Sequence, residues 1–401
     1  MTSTTAREQH FCELADRLAR TFATRAAAHD RQRTFPFENY VDLRTSGYLR
    51  LAVPRAYGGE EASLYELVLA QERLARGDGA TAMAVDMTLH MLGRLRETRQ
   101  WPAPIFEQVC RAVVAEGALI NAAATEPEMG SPSHGGLPAT TATPGGDGWL
   151  VTGHKKFITM APALSYFVVS VRLPASPAMP HGGKANAIVE ANPGAATPGI
   201  RMEDTWSDNL GLRTSGSYDV YFDDVFVPDA LLVDRQAVPP PGELAPSGKP
   251  IFNMAWFGLT LSAVYLGIGQ AACDAACTYA NERTPTALGR PIATLPNIQR
   301  RVGDMSIQLT AARSVLHDVA RQWSDQPDQR ETMAPQIATA KYLCTNAAIY
   351  ATDQALRVAG GFGLLSDLPL ERYYRDVRAG VTHPPNDDAA LEMVGRAALQ
   401  G

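Results

Sequence analysis

Apolar residues recur at three- and four-residue spacing through LYELVLAQERLARGDGATAMAVDMTLHMLGRL at 64–95, and the loop VPRAYGGEEAS at 53–63 interrupts the same texture upstream. That spacing predicts a helical domain over residues 1–120. From 121 to 235 the period shortens toward alternation in GWLVTGHKKFITM, YFVVSVRL, ANAIVEA and SYDVYFDDVFV, with Gly and Pro between the runs, which predicts a β domain. A Pro-rich linker, VPPPGELAPSGKP, leads into long helical stretches such as SAVYLGIGQAACDAACTYANER and MAPQIATAKYLCTNAAIYATDQALRVAGG, so residues 245–401 read as a second helical domain. Helices, then strands, then helices make a segregated α+β arrangement that is mainly α. It is not the βαβ alternation of a doubly wound nucleotide fold.

Composition narrows the picture further. The net charge of -6, from 36 basic and 42 acidic residues without a basic run, lacks the footprint needed to hold a phosphate backbone, so no nucleic-acid partner is expected. No stretch is a continuous apolar run of membrane-spanning length; the most apolar segment, Met254 to Gly269, is rich in Gly and small residues, and no membrane partner is expected. The N-terminus reads as a surface helix without a secretory apolar core, which places the expected location in the cytoplasm. Five cysteines, Cys12, Cys110, Cys273, Cys277 and Cys344, fit reduced thiols, and no metal site is expected. There is no GxGxxG opening a helix after a strand, no GxxxxGK[ST], no GxSxG and no HExxH, so Rossmann, P-loop, serine hydrolase and zinc protease chemistries are disfavoured.

Several segments in this order resemble the acyl-CoA dehydrogenase superfamily of flavoproteins. They are SGYLRLAVPRAYGGEEASLYELVLAQERLAR at 46–76, AAATEPEMGS at 122–131, GWLVTGHKKFITM at 148–160, LGLRTSGSYDVYFDDVFVP at 210–228, and QRRVGDM, AKYLCTNAA and RVAGGFGLLSDLPLERYYRDVRAG in the last third. The resemblance implies a helical N-terminal domain, a middle β-barrel or sandwich domain and a C-terminal four-helix bundle holding FAD. It implies that Ala124, Thr125, Gly130 and Ser131 approach the flavin, with Pro132 replacing the family's Asp. It also implies that Phe157 and Ile158 back the ring while the Thr159 hydroxyl contacts N5, where a donor would stabilise the reduced ring. Arg283 and Gln299 would hold the pyrophosphate and dinucleotide, although the family's RxxFG is stretched here into RTPTALG. Gly360 and Gly361 would let backbone approach the FAD of a neighbouring subunit, with Asn386 also near the cofactor, so a homo-oligomer, dimer or tetramer, is implied. By residue pattern alone, a Gly pair after a helix is equally a C-cap.

The chain departs from the family at its base. The usual Glu follows the RDAR segment, but RDVRAGVTHPPNDDAA puts Pro384 there, and the alternative position in NMAWFGLTLSAVYLGIGQ holds Phe257. Proline neither accepts a proton nor donates a backbone N–H. The candidates that remain are His383, whose ordinary pKa suits proton transfer near neutrality, with His90, Asp387 and Asp388. Asp387 and Asp388 precede AALEMVGRAAL, so either can instead cap that helix. Two enzymatic readings follow from the resemblance. The first is FAD-dependent α,β-dehydrogenation of an acyl thioester, carried by CoA or a carrier protein, with a non-standard base. The second is a monooxygenase or oxidase using O2 on the same fold. An electron-transferring flavoprotein or O2 would be the electron acceptor, and a catalytically silent flavin-binding protein is the third alternative.

Overall fold

The computed structural model describes residues 5–128, 136–239 and 250–400. Its N-terminal region is helical: α1 (Ala6–Gln32), α2 (Phe37–Thr45), α3 (Leu64–Leu74), α4 (Gly79–Thr98) and α5 (Ala103–Glu116). Capping boxes start α1 and α3, where Thr5 with Glu8 and Ser63 with Glu66 satisfy each other's free backbone N–H groups. Helix α4 starts at the Asp78 cap and is buried continuously from Gly79 to Gly93, so it is a core helix.

The middle region is one eight-stranded sheet of β1 (Ile120–Ala123), β2 (Thr141–Gly145), β3 (Gly148–Ile158), β4 (Tyr166–Leu173), β5 (Gly183–Glu190), β6 (Ile200–Glu203), β7 (Tyr218–Pro228) and β8 (Leu232–Ala237). The strand order is β6-β7-β3-β2-β4-β5-β8, and β1 pairs in parallel with β4. The long β3–β7 pair is antiparallel, and its register shifts between Lys155 and Ile158. At that irregularity Phe157 adopts φ 59°, a left-handed conformation rarely taken by an aromatic residue.

The C-terminal region contains α6 (Pro250–Glu282), α7 (Pro296–Asp325), α8 (Ala334–Ala359), α9 (Leu370–Asp376) and α10 (Asp387–Gln400). Helix α6 packs on α7 and α8 and also on α3 and α4, so it is shared between the two helical regions. By length and hydropathy it could cross a membrane, yet 83% of its most apolar window is buried inside the protein, which accounts for its composition as a core helix. The cap of α10 corrects the sequence expectation. Asn386 Oδ1 accepts from the Ala389 N–H at 2.9 Å, so Asp387 and Asp388 open the first turn, where their charge meets the positive helix end, and neither is the cap. Cys110, Cys273 and Cys344 are buried and Cys12 and Cys277 half-buried; burial raises all five thiols, Cys110 and Cys273 to about 12.

The α4–α6 contact is close at Gly93. A Cβ there would stand 2.1 Å from the ring of Trp256, which is fully buried and donates through Nε1 to Glu97 at 2.8 Å. The ring cannot withdraw without losing that bond. Gly93→Ala is therefore expected to destabilise the protein by about 1–3 kcal/mol; an unchanged urea midpoint would contradict this account of the contact.

Candidate active site

The expected flavin loop is anchored from beneath by a buried ion pair. Lys155, near the end of β3, reaches Glu126 Oε1 at 2.6 Å, and both side chains are fully enclosed. The ammonium also donates to the Ser170 carbonyl at 2.7 Å and to its Oγ at 3.1 Å. The Glu126 carboxylate accepts in addition from the Thr140 hydroxyl and N–H and from the Ala139 N–H. Burial alone would push the Glu126 carboxyl up, but the Lys155 and Thr140 hydrogen bonds outweigh it and hold it down to about 2. One residue away, the Lys156 N–H donates to the Thr125 carbonyl at 2.9 Å, which ties the chain after β1 to the last turn of β3. Ala124 and Thr125 are thereby held half-buried alongside β3.

Above this anchor Phe157 and Thr159 diverge. Phe157 is half-exposed and meets Trp206 edge-to-face with centroids 5.5 Å apart, while Trp206 is fixed through Nε1 to the Leu212 carbonyl. Ile158 points into the sheet core and is buried. Thr159 is buried, and its hydroxyl heads a row in which Thr159 Oγ1 and Ser217 Oγ are 2.9 Å apart and Ser217 Oγ and Ser215 Oγ 2.8 Å. A half-exposed aromatic face beside a row of uncharged hydroxyls suits a flat heteroaromatic ring with a polar edge. That donor set fits the isoalloxazine implied by resemblance.

The row is linked directly to α4. Asn121 Nδ2 donates to the Thr159 carbonyl at 3.0 Å, and its neighbour Ile120 exchanges two hydrogen bonds with the Thr88 hydroxyl. His90 lies two residues beyond Thr88. Its Nδ1 is 2.8 Å from the Asp86 carbonyl, and its ring meets Phe257 edge-to-face at 5.1 Å. His383 packs edge-to-face on the same Phe257 at 6.3 Å, and its Nδ1 is 2.7 Å from the Tyr265 hydroxyl. Phe257, at the second of the two family base positions, therefore joins the two histidines. Burial lowers both imidazoles, aided by the nearby charge of Arg94 at His90 and Lys341 at His383; they fall to about 3 and about 4, so both are neutral at pH 7.

The carboxylate candidate is engaged elsewhere. Asp387 faces the buried Lys341 Nζ at 3.4 Å and accepts from Asn346 Nδ2 at 3.0 Å, while Asn386 is the α10 cap. The dinucleotide candidates stand apart on the exposed end of the helical bundle. Arg283 lies over the Phe362 ring at 4.8 Å, and Gln299 Nε2 donates to the Ala293 carbonyl at 3.1 Å. Gly360 ends α8 with φ 61°, and a Cβ on Gly360 or Gly361 would meet nothing within 4 Å. That face is open in the single chain. Gly130 and Ser131 lie outside the described residues.

Sequence reasoning did not select Tyr265, Ser217, Trp206 or the Glu126–Lys155 pair as functional. Two of them carried a signal: Tyr265 is a lone aromatic hydroxyl in the run GLTLSAVYLGIG, and Lys155 is a cation at an inward position of a strand. Ser217 and Trp206 carried none, because the β3–β7 register brings Ser217 to Thr159 and the turn between β6 and β7 brings Trp206 to Phe157.

Three family models match the chain: acyl-CoA dehydrogenase N-terminal domain over residues 5–96, middle domain over 121–225 and C-terminal domain over 253–399. The chain is 36% identical over 393 residues to YdbM of Bacillus subtilis (strain 168), named for the acyl-CoA dehydrogenases, covering 98% of this chain and 97% of the relative. It is 30% identical to the amino sugar nitrososynthase RubN8 of Streptomyces rubradiris, covering 94% and 86%. Among solved structures it is similar to KijD3 in complex with FMN and a dTDP-linked amino keto sugar, with 26% identity, a TM-score of 0.79 and coverage of 99% and 95%.

Lys155→Met would strand the Glu126 carboxylate without its cation, and a loss of about 3–5 kcal/mol is expected in urea denaturation. The Glu126 carboxyl is lower in the folded protein, about 2 against an ordinary 4.5, so its contribution is complete above 4.5 and is lost as pH falls from there toward 2. Glu126→Gln should flatten that part of the acid unfolding curve; an acid limb identical to the parent's would refute the assignment.

Proposed function

The chain belongs to the acyl-CoA dehydrogenase family, and from that premise we propose that it is a flavin-dependent oxygenase that uses reduced flavin and O2 on a small organic substrate. One observation carries this reading. Both positions where the family keeps its carboxylate base hold groups that cannot titrate, Pro384 and Phe257, and two neutral histidines pack on Phe257. Abstraction of an α-proton from a thioester calls for a base ready near neutrality, whereas imidazoles held uncharged and low in pKa serve as hydrogen-bonding partners to oxygen. The two relatives that support this reading are the nitrososynthase RubN8, whose name implies oxygen added to an amine nitrogen, and KijD3, which was solved with FMN.

A bound reduced flavin supplies two electrons and, with O2, one oxygen atom for the substrate; the balance is substrate plus O2 plus reduced flavin giving oxygenated product, water and oxidised flavin. The chain's own residues provide the setting. Phe157 and Trp206 offer the aromatic face, and the Thr159 hydroxyl, backed by the buried Ser217 and Ser215, is the uncharged group for the polar edge. His383 and His90 flank the Phe257 ring as neutral hydrogen-bonding groups. FMN fits this arrangement as readily as FAD, because the residues described at the ring are independent of the adenine end.

A second reading, dehydrogenation of an acyl thioester, is favoured by the 36% identity to YdbM and would use His90 or His383 as the base. Mixing the protein and photoreduced FMN with oxygenated buffer separates the two. The oxygenase should delay the return of oxidised-flavin absorbance relative to free FMN, and a panel of acyl-CoAs should leave bound oxidised flavin unbleached under anaerobic conditions. Anaerobic bleaching by any of them would overturn the oxygenase reading in favour of the dehydrogenase. His383→Ala should lower turnover by about 10²-fold or more while flavin affinity stays at the parent value; full turnover would remove His383 from the reaction.

A further inference from the structure

The two histidines on Phe257 are held by different partners, and the partners dictate where each proton sits. His90 Nδ1 is 2.8 Å from the backbone carbonyl of Asp86, an oxygen that can only accept. The imidazole must therefore carry its proton on Nδ1 and leave Nε2 as a lone pair. His383 Nδ1 is 2.7 Å from the Tyr265 hydroxyl, which can in principle accept or donate. Tyr265 is completely buried on α6, and among the described residues its hydroxyl has no other hydrogen-bond partner. If His383 donated, the tyrosine O–H would have no acceptor, at the full desolvation penalty of a buried donor. If Tyr265 donates, both groups are satisfied. The His383 proton then lies on Nε2.

We propose that Tyr265 is a positioning residue that keeps the His383 proton on Nε2, so that the pair beside Phe257 presents one donor, His383 Nε2–H, and one acceptor, His90 Nε2. Neither Nε2 has a partner among the described residues, and neither is among their sealed, unsatisfied polar atoms, so both remain available to a bound molecule. Burial also keeps the Tyr265 phenol well above its ordinary value of 10, and it therefore retains the proton it donates. Lys341 toward His383 and Arg94 toward His90 both oppose a second proton on either ring. The consequence for catalysis rests on the oxygenase reading. A reaction that releases water from O2 is served by a hydrogen-bond donor toward the oxygen and an acceptor toward the substrate, and this pair supplies one of each with no net charge.

The tautomers are measurable in flavin-free protein, independently of turnover. The chain has eight histidines, and selective ¹⁵N labelling with long-range ¹H–¹⁵N correlation reports each ring, with His90→Gln and His383→Gln identifying the two signals. The expected result is His90 as the Nδ1–H form and His383 as the Nε2–H form. Tyr265→Phe should shift the His383 ratio toward Nδ1–H by roughly fivefold, as expected for loss of one hydrogen bond, and leave His90 unchanged. Turnover with reduced FMN should fall at least about tenfold with flavin affinity intact. A parent protein whose His383 is already Nδ1–H overturns the proposal without any need for the Tyr265 variant to fold. A His383 ratio untouched by Tyr265→Phe overturns it equally. If the tautomers are as expected and no oxygenation occurs, the positioning role stands and the oxygenase reading fails.

Discussion

The Glu126–Lys155 pair is the constraint from which the candidate site follows. Two charges removed from water are tolerated only when every lone pair and proton finds a partner, and here the lysine has Glu126 and Ser170 while the carboxylate has Lys155, Thr140 and Ala139. Those partners come from β3, β4 and the segments flanking β1 and β2. Their convergence fixes the height of β3 against the rest of the sheet. Because Lys155 can sit in only one place, the next residues cannot slide either: Phe157 is turned outward at the register shift and Thr159 inward onto Ser217. The expected ring position is thus set by electrostatics beneath it, and the residues at the surface are placed as a result.

A second layer of constraint joins sheet to helices. Thr88, Ile120, Asn121 and Thr159 form a short hydrogen-bonded path from α4 to the hydroxyl row, and Leu212 N–H to Asp376 at 2.6 Å joins the segment between β6 and β7 to α9. Gly211 allows that second contact, since a Cβ there would stand 2.3 Å from the Arg375 carbonyl. His90 is consequently held on a helix that is bonded to the β region, while His383 lies in the segment between Val381 and Asp387 and is fixed there by the Tyr265 hydroxyl and the Phe257 ring. The polar links to Thr159 run through α4 and therefore position His90, and the ring of Phe257 relates His383 to it.

Much of this was legible in the sequence, because the fold is written in periodicity. The change from helical spacing to alternation near residue 121 and back after the Pro-rich linker is a local signal, and the helices and strands follow it. The pair of empty base positions was legible too, since proline and phenylalanine are unambiguous. Partner choice was not. Nothing in GLTLSAVYLGIG says that Tyr265 meets a histidine 118 residues later, and the acidic pair at the start of α10 reads as a cap until Asn386 is seen to take that role. Ser217 was invisible for the same reason, since its position beside Thr159 arises from strand register. Sequence pattern reports which face is buried; it does not report which polar atom ends opposite which.

The burial of the cysteines has a bearing on durability. A thiol reacts with hydrogen peroxide as its thiolate, and each of the five here is held in the protonated form by its apolar surroundings. Under the proposed oxygenase reading, reduced flavin and oxygen meet here, and some peroxide is shed whenever they do so without substrate. Thiols kept protonated scavenge it slowly, so sulfenic acids and adventitious cross-links form slowly at these five positions.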